Sequence, residues 1–149
     1  MNIFMNQALV QAQKAYKKGE VPIGAIIVKN NKIIAKAYNN REKSQIATNH
    51  AEVIAINKAC KKLKSWRLDD CDMYVTLKPC PMCAGAIVNA RIKNVYYGAE
   101  STNDDENLCQ AILQNTIRLN HKTNLIYLQN QDCENVLKTF FINKRQSKK

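Results

Sequence analysis

The sequence predicts an α/β fold: a five-stranded mixed sheet between two layers of helices, in a three-layer α/β/α arrangement. Two observations carry this. Five short apolar runs rich in β-branched and aromatic residues alternate with stretches of helical periodicity. The first two runs are joined by a tight polar turn and must pair antiparallel, whereas the later ones are separated by helices and can run parallel. The 149 residues are read as one domain, 1–149, long enough to bury a substantial core.

Phe4, Ala8, Leu9, Ala12 and Ala15-Tyr16 recur at intervals of three and four, an amphipathic helix closed by Gly19. Val21-Pro22 breaks that pattern, and Ile23 to Val28 reads as a buried strand. Lys29-Asn30-Asn31-Lys32 forms a hairpin turn and returns Ile33 to Asn39 as the second strand. Arg41 to Asn49 is a polar loop into a helix signalled by Thr48-Asn49, which runs from His50 to about Leu63. Met73 to Leu77 is the central strand. Pro79 ends it, having no N–H for a ladder and holding its predecessor extended. Pro81 suits the first turn of a helix that continues from Met82 to Ala90. Val95 to Gly98 is the fourth strand, Leu108 to Asn115 a helix, and Leu125 to Leu128 the fifth strand. Cys133 to about Asn143 closes the fold as an amphipathic helix, ahead of a basic tail from Lys144.

Apolar residues at 46% and charged residues at 23% are those of a globular chain, and no apolar run has the length of a membrane span. The first residues show neither a basic n-region nor a small-residue cleavage site, so the expected location is the cytoplasm. There, six cysteines are reduced thiols. Cys60, Cys71, Cys109 and Cys133 are isolated and read as small buried hydrophobes. A net charge of +11 attracts a polyanion. The same sequence is rich in Asn, Ile and Lys, and lysines scattered by composition form a solvated surface.

Cys80-Pro81-Met82-Cys83 places two thiols at the start of a helix, where the dipole lowers their pKa and thiolates bind borderline metals. Alone, this pair could equally be a redox couple or half of a zinc ribbon. A ribbon needs a second pair, and Cys71 has no cysteine near it. A redox couple has no use for His50-Ala51-Glu52 at another helix start. Three ligands, His50, Cys80 and Cys83, leave one position open, as in a catalytic zinc; a structural zinc is closed by four. Glu52 lies two residues beyond His50, suited to reach over a metal-bound water without ligating. Both halves fall where strands end and helices begin, the usual ligand position in such sheets.

His-x-Glu with Pro-Cys-x-x-Cys resembles the signature of zinc-dependent nucleobase deaminases. The likeness covers nearly the whole chain. Gly19-Glu20-Val21-Pro22-Ile23-Gly24-Ala25, Asn39 with Arg41-Glu42, Ser65-Trp66-Arg67-Leu68, Tyr74-Val75-Thr76-Leu77, Pro79 to Ala86, Tyr97-Gly98-Ala99 and Asn120-His121 are similar to the bacterial tRNA-specific adenosine deaminases, which convert a wobble adenosine to inosine. The resemblance implies a cytidine-deaminase-like fold, a homodimer, a Zn2+ cofactor, and a flipped base from a tRNA anticodon stem-loop entering the metal pocket. It makes Glu52 the catalytic acid and base. By matching position, Asn39 contacts the base, Ile26 lines the pocket and the Ala51 backbone holds the base edge. Arg41, Lys144 and Arg145 are the expected RNA contacts. The chain departs from the family at Lys78, where an acidic residue is usual, and at Ala47-Thr48-Asn49, where Pro-Thr-Ala is common. It departs again at Glu100 to Glu106, where a glycine- and lysine-bearing loop is usual. Two other functions are compatible with these motifs: a free-base or nucleotide deaminase acting on guanine or cytosine, and a non-catalytic zinc-bound tRNA-binding subunit. Glu52 argues against the second, since a binding module needs no acid–base glutamate.

Overall fold

A computed structural model describes residues 2–101, 106–114 and 119–147. Helix α1 (Ile3–Lys17) starts at Asn2, whose side chain accepts from the Met5 N–H at 2.9 Å. It ends before Gly19, whose φ of +76° favours glycine. Strands β1 (Gly24–Lys29) and β2 (Lys32–Tyr38) form a hairpin. Asn30 and Asn31 both have positive φ (52° and 62°), as a two-residue turn matched to strand twist requires. A single helical turn, α2 (Arg41–Ser44), occupies part of the expected polar loop. No periodicity announces it, because its start is held from a distance: the buried Glu20 carboxylate accepts from the N–H groups of Glu42 (3.0 Å) and Lys43 (2.7 Å).

Helix α3 (Ala51–Leu63), β3 (Cys71–Leu77), α4 (Pro81–Asn89), β4 (Asn94–Ala99), α5 (Glu106–Leu113), β5 (Asn124–Tyr127) and α6 (Gln131–Ser147) follow. The sheet order is β2-β1-β3-β4-β5. β1 pairs antiparallel with both β2 and β3, while β3-β4 and β4-β5 are parallel. β2 and β3 therefore run the same way on either side of β1, and α3 packs on β1 and β2 between them. The expected mixed sheet is present.

Strand alternation divides the interior into two cores. Ala25, Ile27, Met73, Val75, Val95 and Tyr97 pack with α3, α4 and α5. Ile26, Val28 and Tyr74 pack with α1 and Cys133 of α6. α1 lies directly on β1: a Cβ at Gly24 would collide with the Ala8 carbonyl oxygen and stand 2.5 Å from the Ala12 nitrogen. The basic run at Lys144-Arg145, expected as a tail, is instead the last turn of α6, which continues to Ser147. Lys148-Lys149 and residues 102–105 of the acidic loop lie outside the described residues.

A candidate metal centre at two helix starts

The centre is built from two N-caps. His50 (φ −78°, ψ 151°) and Cys80 (φ −72°, ψ 168°) are the extended residues at which α3 and α4 begin. Thus His50, not Thr48 or Asn49, occupies the capping position of α3. Neither side chain caps its own helix, forgoing a contribution of typically about 1 kcal/mol. Both side chains turn instead toward a common point, joined by Cys83 from the first turn of α4. The His50 Nδ1 lies 3.7 Å from Cys80 Sγ and 3.6 Å from Cys83 Sγ. A tetrahedral metal with sulfur bonds of about 2.3 Å and nitrogen bonds of about 2.0 Å has edges of roughly 3.5–3.8 Å. Both sulfurs already stand at that spacing from the His50 nitrogen, the three donor atoms lie within 4.8 Å of one another, and among the described residues they form the only His, Cys, Asp or Glu cluster of this kind. The donor set fits a divalent metal and leaves a coordination position for a reactant.

Glu52, in the first turn of α3, is 3% exposed, and its Oε1 has no hydrogen-bond partner among the described residues. An unpartnered buried carboxylate oxygen is costly, and the same carboxyl shares a hydrogen bond with Cys83. Burial drives the Glu52 carboxyl up to about 7, with Cys80 adding to the rise. The Cys80 thiol is pulled down to about 4, first by its hydrogen bond with Cys83 and then by His50. Cys83 is pushed up by that same bond and by burial, and His50 is raised by its bond to Cys80. The hydrogen bond between the two cysteines thus moves their thiols in opposite directions, Cys80 toward thiolate and Cys83 toward the protonated form. A divalent cation would displace any proton left on either sulfur, since only thiolates ligate.

The remaining expected residues divide into two groups. Asn39 is buried just beyond β2. Its Nδ2 donates to Val21 O (3.2 Å) and its Oδ1 accepts from Arg41 N–H (3.3 Å). The next residue, Asn40, donates its N–H to Asn49 O at 3.1 Å, tying this corner to the chain entering His50. Ala51 is fully buried as the first residue of α3, where helix geometry leaves the N–H free to face a ligand. Ile26 is not brought to the centre. It is fully buried on the opposite side of the sheet, against Met5, Ala8 and Ala12 of α1. Ile23, of opposite parity, packs on the α3 side. The alternation along β1 was the signal that separates the two, although it does not say which face carries the centre.

Arg41, far in sequence from Lys144 and Arg145, lines one cleft of about 280 Å³ with them, together with Glu42, Phe140 and Phe141. Trp66 is 58% exposed. It lies at the opening end of β3, away from the metal donors, with Arg67 and Arg91 over its ring at 5.5 and 5.4 Å. Cys71, Cys109 and Cys133 are buried as expected, and Cys60 is half-buried.

A three-layer sheet carrying a His-Cys-Cys donor set and a buried glutamate at its central helix starts defines a deaminase. The chain belongs to the MafB19-like deaminase family, whose model matches residues 1–145. Within that class, its full-length likeness is to tRNA-specific adenosine deaminases. The protein of that name from Bacillus subtilis (strain 168) is 43% identical across 99% of this chain and 92% of its own length. A solved structure from studies of A-to-I editing by tRNA:A34 deaminases at the wobble position of transfer RNA matches with a TM-score of 0.83 at 36% identity, covering 90% of this chain and 98% of that one. The structure of guanine deaminase from Bacillus subtilis is 47% identical with a TM-score of 0.65, over 72% of this chain and 70% of that one.

Proposed function

We propose that the chain is a zinc-dependent hydrolase converting adenosine to inosine at the wobble position of a tRNA anticodon. The observation that carries the reading is the buried Glu52 carboxyl, one oxygen of which has no partner among the described residues, beside His50, Cys80 and Cys83. Bound there, zinc lowers the pKa of water from about 15.7 toward about 7 and supplies the nucleophile. Everything else is proton handling and placement by the chain. Glu52 accepts a proton on its carboxylate and passes it to the adenine ring nitrogen beside the attacked carbon. It then takes the proton of the hydroxyl added at the attacked carbon and gives it to the departing amino group, so that the carbonyl of inosine forms and ammonia leaves. Burial raises this carboxyl in the metal-free site, and a carboxyl whose proton affinity is raised can take and return a proton. Asn39, with one lone pair and one N–H still unused, and the Ala51 N–H fix the base edge. Ile23, rather than Ile26, is the pocket wall that strand parity supports.

The cleft shared by Arg41, Lys144, Arg145, Phe140 and Phe141 supports an RNA substrate, because cations beside aromatic faces suit unstacked nucleotides. The net charge of +11 adds to it. Chain 1–149 acts as one domain in a homodimer, in the cytoplasm. Among the described residues, no helix is long and apolar enough to cross a membrane.

The 47% identity to a guanine deaminase over part of the chain favours a second reading, deamination of a free base. Nucleoside analysis separates the two. An anticodon stem-loop with adenosine at the wobble position should yield inosine, with binding that weakens steeply as salt rises. Efficient turnover of guanine or cytosine, with the stem-loop untouched at low salt, would replace this reading with the second.

A further inference from the structure

Lys78 separates β3 from Pro79-Cys80, and its side chain is only 5% exposed. Its ammonium lies 3.6 Å from Glu100 Oε2 and 5.5 Å from the centroid of the Tyr97 ring. The Tyr97 hydroxyl donates to the other Glu100 oxygen at 2.7 Å. The Lys78 N–H donates to the Ala99 carbonyl at 3.0 Å, adding one rung beyond the β3-β4 ladder. The strand end that carries Cys80 is thus joined to the chain leaving β4 twice, by backbone and by charge.

Glu100 faces a cleft of about 590 Å³ that runs from Leu77, Ala99 and Tyr127 across to Phe141 and Arg145 of α6. This cleft shares Val21, Phe141 and Arg145 with the one holding Arg41 and Lys144. Two carboxylates line it. Glu134 is neutralised by Lys138 at 2.9 Å, and Glu100 is neutralised from behind by Lys78. With both cancelled, Arg145 gives the cleft its sign. An apolar side chain would fill the Lys78 position without the desolvation that a buried ammonium suffers, so packing alone does not call for lysine there.

We propose that Lys78 is a positioning residue for the anionic substrate: it pins Glu100 to the strand end bearing Cys80 and cancels a carboxylate that would otherwise repel phosphates entering the cleft. This rests on the RNA reading above. Removing the ammonium leaves a bare carboxylate in the path of a polyanion, whereas removing both charges restores a neutral wall.

The test uses the metal-loaded protein, an anticodon stem-loop with wobble adenosine, and the variants Lys78→Met, Glu100→Gln and the double Lys78→Met/Glu100→Gln. Dissociation constants are measured at about 50 and about 200 mM salt, together with kcat, KM and metal content. Lys78→Met should weaken binding roughly tenfold at the lower salt and less at the higher. It should raise KM while kcat stays within about threefold and the metal is retained. The double variant should recover most of the affinity, and Glu100→Gln should bind at least as tightly as wild type. Unchanged binding by Lys78→Met, an equal loss at both salts, or a loss that the double variant does not relieve overturns the proposal. If Lys78→Met does not fold, Glu100→Gln decides: weaker binding overturns the proposal and equal or tighter binding supports it. Wild-type protein that neither binds nor deaminates the stem-loop overturns the RNA reading, and this inference with it.

Discussion

Glu52→Gln should make the metal-free protein more stable and the metal-loaded enzyme nearly inactive. The Glu52 carboxyl is raised from 4.5 to about 7, chiefly by burial, and a rise of that size corresponds to about 3 kcal/mol. A raised acid means that between those values the folded state holds more protons than the unfolded chain. Stability therefore falls as pH climbs through the window. Below it, Glu52 is neutral in both states and glutamine is close to its equal. Above it, the wild type carries the full penalty and the variant carries none. The advantage of Glu52→Gln should grow from less than about 1 kcal/mol at pH 5 to about 3 kcal/mol at pH 8. Cys80, lowered to about 4, works in the opposite direction, contributing stability that is lost as pH falls through its folded value. His50, raised by Cys80, contributes stability lost as pH rises. Glu52 raises His50 and is itself raised by Cys80, so the difference between the two proteins reports the removal of the Glu52 charge together with its effect on these neighbours. Urea unfolding in chelator at the two pH values measures it. A gap that stays constant with pH would show that the Glu52 carboxyl is not raised by the fold, and the acid–base assignment would lose its physical basis. With metal restored, turnover should fall by about 10²–10⁴-fold, gain in stability and loss of activity coming from the same buried oxygen.

Cys83→Ala should lose most of its zinc on dialysis, since an imidazole and one thiolate cannot complete the three-donor set; elemental analysis showing a full equivalent would refute the ligand assignment. Gly24→Ala should lower unfolding free energy by about 3 kcal/mol, because the new Cβ meets the backbone of α1 at Ala8 and Ala12, which cannot swing aside. Gly85→Ala is its control: no atom lies within 4 Å of the added Cβ, and a helical glycine replaced by alanine should gain up to about 1 kcal/mol in the same denaturation assay.

The strands, the Asn30-Asn31 turn, the Pro79 and Pro81 boundaries and the candidate donor set His50, Cys80 and Cys83 were all legible in the sequence itself. Each rests on local energetics: period-two burial, residues that tolerate positive φ, a ring that cannot donate, and thiols near a helix start. Only the tertiary structure decided what those elements face. Alternation in β1 puts Ile23 and Ile26 on opposite sides. The seating of α1 on Gly24 puts Ile26 in the core away from α3, while Ile23 packs with the α3-side core. The turn α2 was invisible because its start is held by Glu20, more than twenty residues earlier. Lys144 and Arg145 read as a loose basic tail, yet the apolar seat of Phe140 carries the helix through them and sets them beside Arg41. Trp66, between the two metal motifs in sequence, stands beside Arg67 and Arg91 at the opening end of β3. Periodicity and propensity are energies of neighbours along the chain. Which face becomes the site, and which distant charge answers a buried one such as Lys78, is settled by burial and pairing across the sheet, where sequence separation carries no information.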